Sequence, residues 1–283
     1  MVFHCPTCII HVRQSFEYIS FRIRIINYQI HKSNQSCYHK CMENKYETLQ
    51  KIINEARQIV VFTGAGISVP SGIPDFRSAN GIYNQKTKYQ ASPEEIISHS
   101  FFQNYTEEFY EFYKDKMCYP KALPNAAHKY FADLEKKGKN VIVVTQNIDG
   151  LHQKAGSKIV YELHGTIHQN FCTRCGRLFG LDYVLNSEGV PHCDKCGGIV
   201  KPNVVLYEES LDEDIISRSI NAIMTCDVMI VIGTSLKVYP AAGFIRYFKG
   251  RYLVVINKES TSYDNMCDLV FNEDVINVVK NLK

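Results

Sequence analysis

The chain reads as an α/β protein built on a parallel sheet, and two kinds of observation point there. Short, β-branched apolar runs at Ile59–Thr63, Val141–Thr145, Asp227–Ile232 and Leu253–Ile256 alternate with helical patterns. Such continuous apolar runs mark strands buried on both faces, and their alternation with helices marks a parallel sheet. Each run also ends in a polar cluster: Gly64-Ala65-Gly66, Gln146-Asn147-Ile148-Asp149, Gly233-Thr234-Ser235 and Asn257-Lys258. Open α/β sheets bind ligands outside the carboxyl ends of their strands. Convergence of four such ends carries more weight than any one motif.

Residues 1–41 differ in character from the rest of the chain. They hold Arg13, Arg22, Arg24, Lys32 and Lys40 against Glu17, a net of +4 within a whole-chain formal charge of +3. The remaining 242 residues therefore net −1, which gives no electrostatic reason to expect nucleic-acid binding. Cys5, Cys8, Cys37 and Cys41, with nearby histidines, are conceivable metal ligands. The absence of a clean period favours the plainer expectation of a disordered or spurious extension, with Met42 as the start of the folded protein. No apolar run approaches the roughly 18 residues of a membrane span. No secretory signal is visible, and the scattered Cys118, Cys226 and Cys267 read as buried thiols, so a cytoplasmic location is expected.

In chain order, Tyr46, Leu49, Ile52, Ile53 and Ala56 recur at helical spacing, predicting a helix over Glu43–Arg57. The strand Ile59–Thr63 runs into Gly64 and Gly66, read as a sharp turn that lets the backbone approach a ligand before a helix start. Val69 stands where a standard dinucleotide fingerprint wants its third glycine, so this motif alone is weak. Asp75-Phe76-Arg77 close behind adds a carboxylate, an aromatic plate and a guanidinium suited to a charged heteroaromatic ligand. Ser92 and Pro93 open a short helix. Phe101–Met117 reads as helical, with Phe102, Phe109, Phe112 and Tyr113 as a packing stripe. Asn125 caps a helix to Lys137 that Gly138 ends. Leu269–Phe271 is a fifth strand, and Asp274–Lys280 a closing helix.

Cys172-x-x-Cys175 and Cys193-x-x-Cys196 are seventeen residues apart, within the window for a four-cysteine zinc site, and Gly176 and Gly197 follow the pairs. Four thiolates leave no open position, so the metal is expected to be structural. His168 and His192 flank the site as bystanders. Asn147 and Asp149 follow a buried strand, where polar groups need partners or a ligand. His164, at the join between sheet and metal-held insert, is the natural general base near neutral pH.

From about Leu49 to Val279 these motifs closely resemble the sirtuin family of NAD-dependent protein lysine deacylases. The resemblance rests on Gly64-Ala65-Gly66-Ile67-Ser68, Gly72-Ile73-Pro74-Asp75-Phe76-Arg77, Thr145-Gln146-Asn147-Ile148-Asp149, His164-Gly165, the four cysteines and Gly233-Thr234-Ser235. It implies an inverted Rossmann-like domain (about 43–77, 141–165 and 210–283), with a helical insertion (about 78–124) and a zinc ribbon (about 168–203) forming a smaller domain. It further implies an NAD site drawn from Gly64, Ala65, Gly66, Ser68, Asp75, Phe76, Arg77, Gln146, Asn147, Ile148, Asp149, His164, Gly233, Thr234, Ser235, Asn257 and Val275. His164, Asn147 and Asp149 are the implied catalytic group, and Cys172, Cys175, Cys193 and Cys196 hold one structural zinc.

The implied reaction transfers the acetyl group of acetyl-lysine to ADP-ribose. The acetyl oxygen attacks the ribose carbon, nicotinamide leaves, and His164 deprotonates a ribose hydroxyl that attacks the imidate. The implied partners are acetylated lysines of proteins or peptides, with nicotinamide as product and inhibitor, and neither nucleic acid nor membrane. Glu208 departs from the glycine of many sirtuins, and the family's Tyr-x-x-Arg pair for succinyl groups is not found, which favours a neutral acyl group. Mono-ADP-ribosyl transfer is the alternative enzyme reading, and a non-catalytic NAD sensor the alternative outside enzymes.

Overall fold

Apolar residues at helical and strand spacing decide the elements in a computed structural model that describes residues 44–79, 81–84 and 89–283. The expectations for residues 1–41 lie outside the described residues. A first helix, α1 (residues 44–55), buries Leu49, Ile52 and Ile53 along one face. In order there follow β1 (Gln58–Thr63), α2 (Pro93–Ile96), α3 (His99–Asn104), α4 (Thr106–Phe112), α5 (Ala126–Lys136), β2 (Asn140–Thr145), α6 (Leu151–Ala155) and β3 (Val160–Glu162). Next come β4 (Gly165–Cys172), β5 (Leu178–Gly180), α7 (Leu181–Asn186), β6 (Val200–Val204), α8 (Glu213–Thr225), β7 (Val228–Ile232), β8 (Tyr252–Ile256), β9 (Leu269–Phe271) and α9 (Val275–Lys280).

Six strands form one parallel sheet in the order β3-β2-β1-β7-β8-β9. The order reverses beside β1, which creates the crevice where such sheets take ligands. Register puts the strand ends level: Thr63 lies beside Thr145 and Ile232, and Ile232 beside Ile256. The four predicted polar clusters therefore leave the same edge together. β1, β2, β7 and β8 are almost wholly buried, as their continuous apolar runs required.

Both predicted caps are present, and the structure adds a third. Ser92 Oγ accepts from Glu95 N and Asn125 Oδ1 from Ala127 N, while Asp274 Oδ1 accepts from Ile276 N. The stretch Phe101–Met117 is broken where one helix was expected. Tyr105, at φ −133° and ψ 49°, separates α3 from α4, and residues Tyr113–Met117 widen into a π turn. Thr106 Oγ1, bonded back to Phe102 O, holds the break.

The aromatic stripe is core, as expected: Phe109, Phe112 and Tyr113 are fully buried. It shares a single cluster with Leu181, Val184, Val200 and Leu206. The helical and cysteine-bearing segments, though remote in sequence, are thus one hydrophobic body. β5, β4 and β6 make its antiparallel sheet. Tyr110 Oη bonds Val200 O, and Lys114 Nζ bonds Ser187 O and Gly189 O, which ties the two segments by polar contacts as well.

His128 on α5 and His152 on α6 pack edge to face under the sheet, centroids 4.8 Å apart. His152 Nε2 is 3.1 Å from Thr63 Oγ1, which donates to Thr145 Oγ1 at 2.8 Å. Both nitrogens of His128 and Nδ1 of His152 have no hydrogen-bond partner among the described residues. Burial lowers both histidines, His128 to about 4 and His152 well below the usual value. Both are neutral in the folded state, whereas the unfolded chain takes up protons below about pH 6.5. Stability is therefore full above that pH and falls as pH drops through the window down to about 4. For His128 alone the loss approaches about 3 kcal/mol at the acid end. Denaturant midpoints between pH 7 and 4 should fall in the wild type and fall less in His128→Phe, and parallel curves would exclude the pair as the cause.

Candidate active site

Two loops meet at the strand edge because glycine lets them. A Cβ on Gly64 would stand 2.7 Å from Thr234 Cβ, and one on Gly66 2.6 Å from Gly233 Cα. Gly66 N donates to Gly233 O at 2.8 Å. Gly64 has extended backbone at φ −128°, so no sharp turn is made there, and no regular helix follows. Instead, 3-10 turns at Ala65–Ile67 and Val69–Ser71 end at Gly72, whose φ is 86°. The glycines of this motif serve close packing of two loops, which corrects the turn-and-helix expectation.

The crevice is an open cleft with a cavity volume of about 240 Å³. Of the residues expected to meet the cofactor, Ala65, Ser68, Phe76, Arg77, Gln146, Asn147, Ile148, Asp149 and His164 line it. Gly64, Gly66, Asp75, Gly233, Thr234, Ser235, Asn257 and Val275 do not. Thr234 reaches the wall indirectly, since its Oγ1 accepts from Gln146 Nε2 at 3.1 Å. Asp75 Oδ1 accepts from Arg77 N and Ser78 N, and so shapes the loop that carries Phe76 and Arg77. Asn257 Nδ2 bonds Glu259 O, and Val275 is buried in the first turn of α9.

At the cleft floor the polar groups form one directed chain. Asn147 Nδ2 donates to Ser68 Oγ at 3.1 Å, and Ser68 donates to Asp149 Oδ2 at 2.7 Å. The second carboxylate oxygen accepts from Leu151 N at 2.9 Å. Asn147 N donates to Thr145 Oγ1, joining this chain to the threonine pair below. Burial raises the Asp149 carboxyl above the usual range, opposed by the Leu151 and Ser68 hydrogen bonds.

His164 precedes Gly165, the first residue of β4. Its Nδ1 lies 3.0 Å from Gln146 O. A carbonyl only accepts, so Nδ1 carries the proton and the Nε2 lone pair is left as a base. Burial pulls this histidine below its ordinary value, and the Gln146 carbonyl pushes back. The ring is therefore neutral at pH 7, as a general base must be.

Sequence reasoning did not find the facing wall, which includes Ile82, Tyr83, Ile97, Tyr113, Lys116 and Tyr207. These residues carry no local motif, and only the shared core of the smaller body brings them to the cleft. His168 has a role that its neighbourhood to the cysteines concealed. Its Nε2 donates to Asp149 O at 3.0 Å, packed where a Cβ on Gly150 would stand 2.7 Å from that nitrogen. His192 Nδ1 lies 3.1 Å from Gly197 O and braces the second cysteine knuckle.

The four cysteines converge with their sulfurs all within 4.8 Å of one another. Cys172 and Cys196 sulfurs are 3.4 Å apart, Cys175 and Cys193 sulfurs 3.7 Å. A tetrahedral zinc with bonds of about 2.3 Å requires sulfur separations of about 3.8 Å, so the donor set fits. Gly176 and Gly197, at φ 69° and 71°, close the two knuckles by donating to Cys172 O and Cys193 O. Cys118 and Cys226 are buried free thiols and Cys267 a half-buried one.

Comparison with known proteins agrees with this geometry. Over 238 residues the chain is 57% identical to the NAD-dependent protein deacetylase of Clostridium acetobutylicum, covering 84% of this chain and 97% of that one. It is 43% identical over 241 residues to that of Staphylococcus aureus, covering 85% and 99%. A solved Sir2 structure with a p53 peptide and NAD superposes with a TM-score of 0.73 at 40% identity, over 83% of this chain and 96% of that one. Another, of a Sir2 variant with deacetylated p53 peptide and 3'-O-acetyl ADP ribose, reaches 0.76 at 41% identity, over 84% and 96%. The Sir2 family pattern matches residues 64–240, from the first glycine of the β1 loop through the cysteine pairs to the loop beyond β7, and the chain belongs to that family.

Proposed function

We propose that the chain is an NAD-dependent protein-lysine deacetylase that transfers the acetyl group of acetyl-lysine to ADP-ribose. The observation that carries this is the His164 tautomer beside the Asn147–Ser68–Asp149 chain in one cleft. NAD, when bound, supplies the ribose carbon that accepts the acetyl oxygen and nicotinamide as the leaving group. Ala65, Ser68, Arg77 and Gln146 would hold it, and Ile148 and Asp149 would form the nicotinamide wall that Asn147 braces. Phe76, which lines the cleft, would cover the reacting face and keep nicotinamide from returning. His164 Nε2 would take the proton of a ribose hydroxyl, one water is consumed as the carbon–nitrogen bond between acetyl group and lysine breaks, and free lysine, nicotinamide and O-acetyl-ADP-ribose are the products. The catalytic domain is residues 42–283, with the core and insertion boundaries given by the resemblance, and its location is the cytoplasm. Among the described residues no helix is long and apolar enough to cross a membrane.

A neutral acyl group suits the wall. Its lysine is Lys116, whose Nζ lies 3.1 Å from Asp115 Oδ2, which compensates the charge. The test is incubation with NAD and an acetylated peptide, weighing the products. Peptide lighter by an acetyl group together with O-acetyl-ADP-ribose supports the reading, and ADP-ribose attached to protein instead points to mono-ADP-ribosyl transfer. Deleting residues 1–41 should leave this activity and the melting temperature unchanged, since the match to the Clostridium relative covers 97% of that protein without needing the whole of this chain. Loss of activity in a truncated protein, with the full chain active, would contradict the domain assignment.

A further inference from the structure

The strand that follows His164 leaves its ladder almost at once. On β4, Gly165 lies opposite Val204 of β6 and the next pairing is Asn170 with Pro202, so residues 166–169 arch out as a bulge. Bulges beside active sites re-aim side chains, and this one bonds the loop after β2. Ile167 N donates to Ile148 O at 3.1 Å. His168 Nε2 donates to Asp149 O at 3.0 Å, and since a carbonyl only accepts, that nitrogen carries the proton. The bulge is braced from behind. His168 N donates to Thr166 Oγ1 at 3.3 Å, and the Thr166 hydroxyl bonds the half-buried Glu162 carboxyl.

These contacts hold both peptide units that flank the Asp149 Cα. The second unit needs the restraint more. It joins Asp149 to Gly150, whose φ is 69°, and a peptide unit beside glycine turns over with little steric resistance. The imidazole lies against that bare glycine backbone: a Cβ on Gly150 would stand 2.6 Å from His168 Cδ2. Ser68 Oγ and Leu151 N bond the Asp149 carboxylate itself. His168, which is exposed, holds from the surface side the backbone that carries it.

We propose that His168 is a positioning residue for the cleft floor: its imidazole N–H pins the Asp149 carbonyl and so keeps the Asp149 carboxylate directed at nicotinamide. The proposal rests on the reading of the cleft as an NAD site in which Asp149 meets nicotinamide. His168 does not itself line the cleft, so it acts through the backbone of Asp149. Its exposure means that replacing it leaves the core intact.

The test is exchange of labelled nicotinamide into NAD in the presence of acetylated peptide, with the KM values for nicotinamide and for peptide measured separately. His168→Phe keeps a ring against Gly150 and loses the N–H. Its nicotinamide KM should rise roughly three- to tenfold, the value of one neutral hydrogen bond, while the peptide KM and the melting temperature stay at wild-type values. His168→Gln, which offers an N–H at similar reach, should restore most of the loss. A ring needed only for packing would instead be served by phenylalanine and not by glutamine, and that pattern would overturn the proposal. A nicotinamide KM that His168→Phe leaves unaltered would overturn it too, as would a lowered melting temperature with both KM values raised alike, the mark of a plain brace for the bulge. Wild-type protein that exchanges no nicotinamide would overturn the functional reading and this inference with it. Wild-type exchange that His168→Phe reproduces in full would overturn the inference alone.

Discussion

Replacing His164 with alanine should cut deacetylation by about 10²–10⁴-fold, the contribution of a positioned general base, while NAD and acetylated peptide still bind. Nδ1 is held by Gln146 O, so the lost group is the Nε2 lone pair and little else in the cleft moves. On the proposed mechanism the base would act after nicotinamide has left. Exchange of labelled nicotinamide into NAD, which needs only the first step, should survive far better than product formation. Asp149→Asn should behave differently, because Asp149 accepts from both Ser68 and Leu151 at the floor where nicotinamide would sit. It should depress exchange and deacetylation together. Measuring exchange beside O-acetyl-ADP-ribose yield for both variants separates the steps. Equal loss of both in His164→Ala, with both ligands bound, would sink this order of events.

Replacing Cys172 with serine should release zinc and unravel the smaller body. A structural zinc contributes on the order of 10 kcal/mol to a small module, more than such a module can lose. Cys172 ends β4, is 1% exposed and lies within the cluster that also contains Phe109, Val200 and Leu206. Its loss reaches the cleft through β6, whose strand ends at Val204 just before the bond from Val205 N to His164 O. Activity should fall through the fold, with metal content and melting temperature falling together. A metal-free protein with unchanged melting temperature and turnover would remove the metal from any role in stability.

Much of the site was legible because its signals are local. A buried parallel strand needs a continuous apolar run, and a polar cluster directly after it has few uses other than a ligand. Ile59–Thr63 with Gly64 to Ser68, and Val141–Thr145 with Gln146 to Asp149, each satisfy both conditions within one short stretch. Cysteine spacing is equally local, because two cysteines in a Cys-x-x-Cys pair can share one metal. Caps such as Ser92 and Asn125 show in sequence for the same reason: each bonds an amide two or three residues on.

Other features depend on distances that no local pattern carries. Gly64 and Gly66 looked like turn formers, yet they are required by Gly233 and Thr234, far along the chain, whose atoms leave no room for a Cβ. Asp75 looked like a ligand contact, yet its carboxylate is used on its own loop. Tyr83, Tyr113 and Tyr207 are ordinary aromatics in sequence and become one wall only when two insertions share a core. His164 was identifiable as a candidate base, but which nitrogen holds its proton was decided by the Gln146 carbonyl on another strand end. Strands, the loops after them and the metal ligands could be read from the chain's order, since each is a demand made by neighbouring residues. Which glycines pack, which wall closes the cleft and which nitrogen of His164 faces a carbonyl were settled in three dimensions, since those follow from contacts between segments remote along the chain.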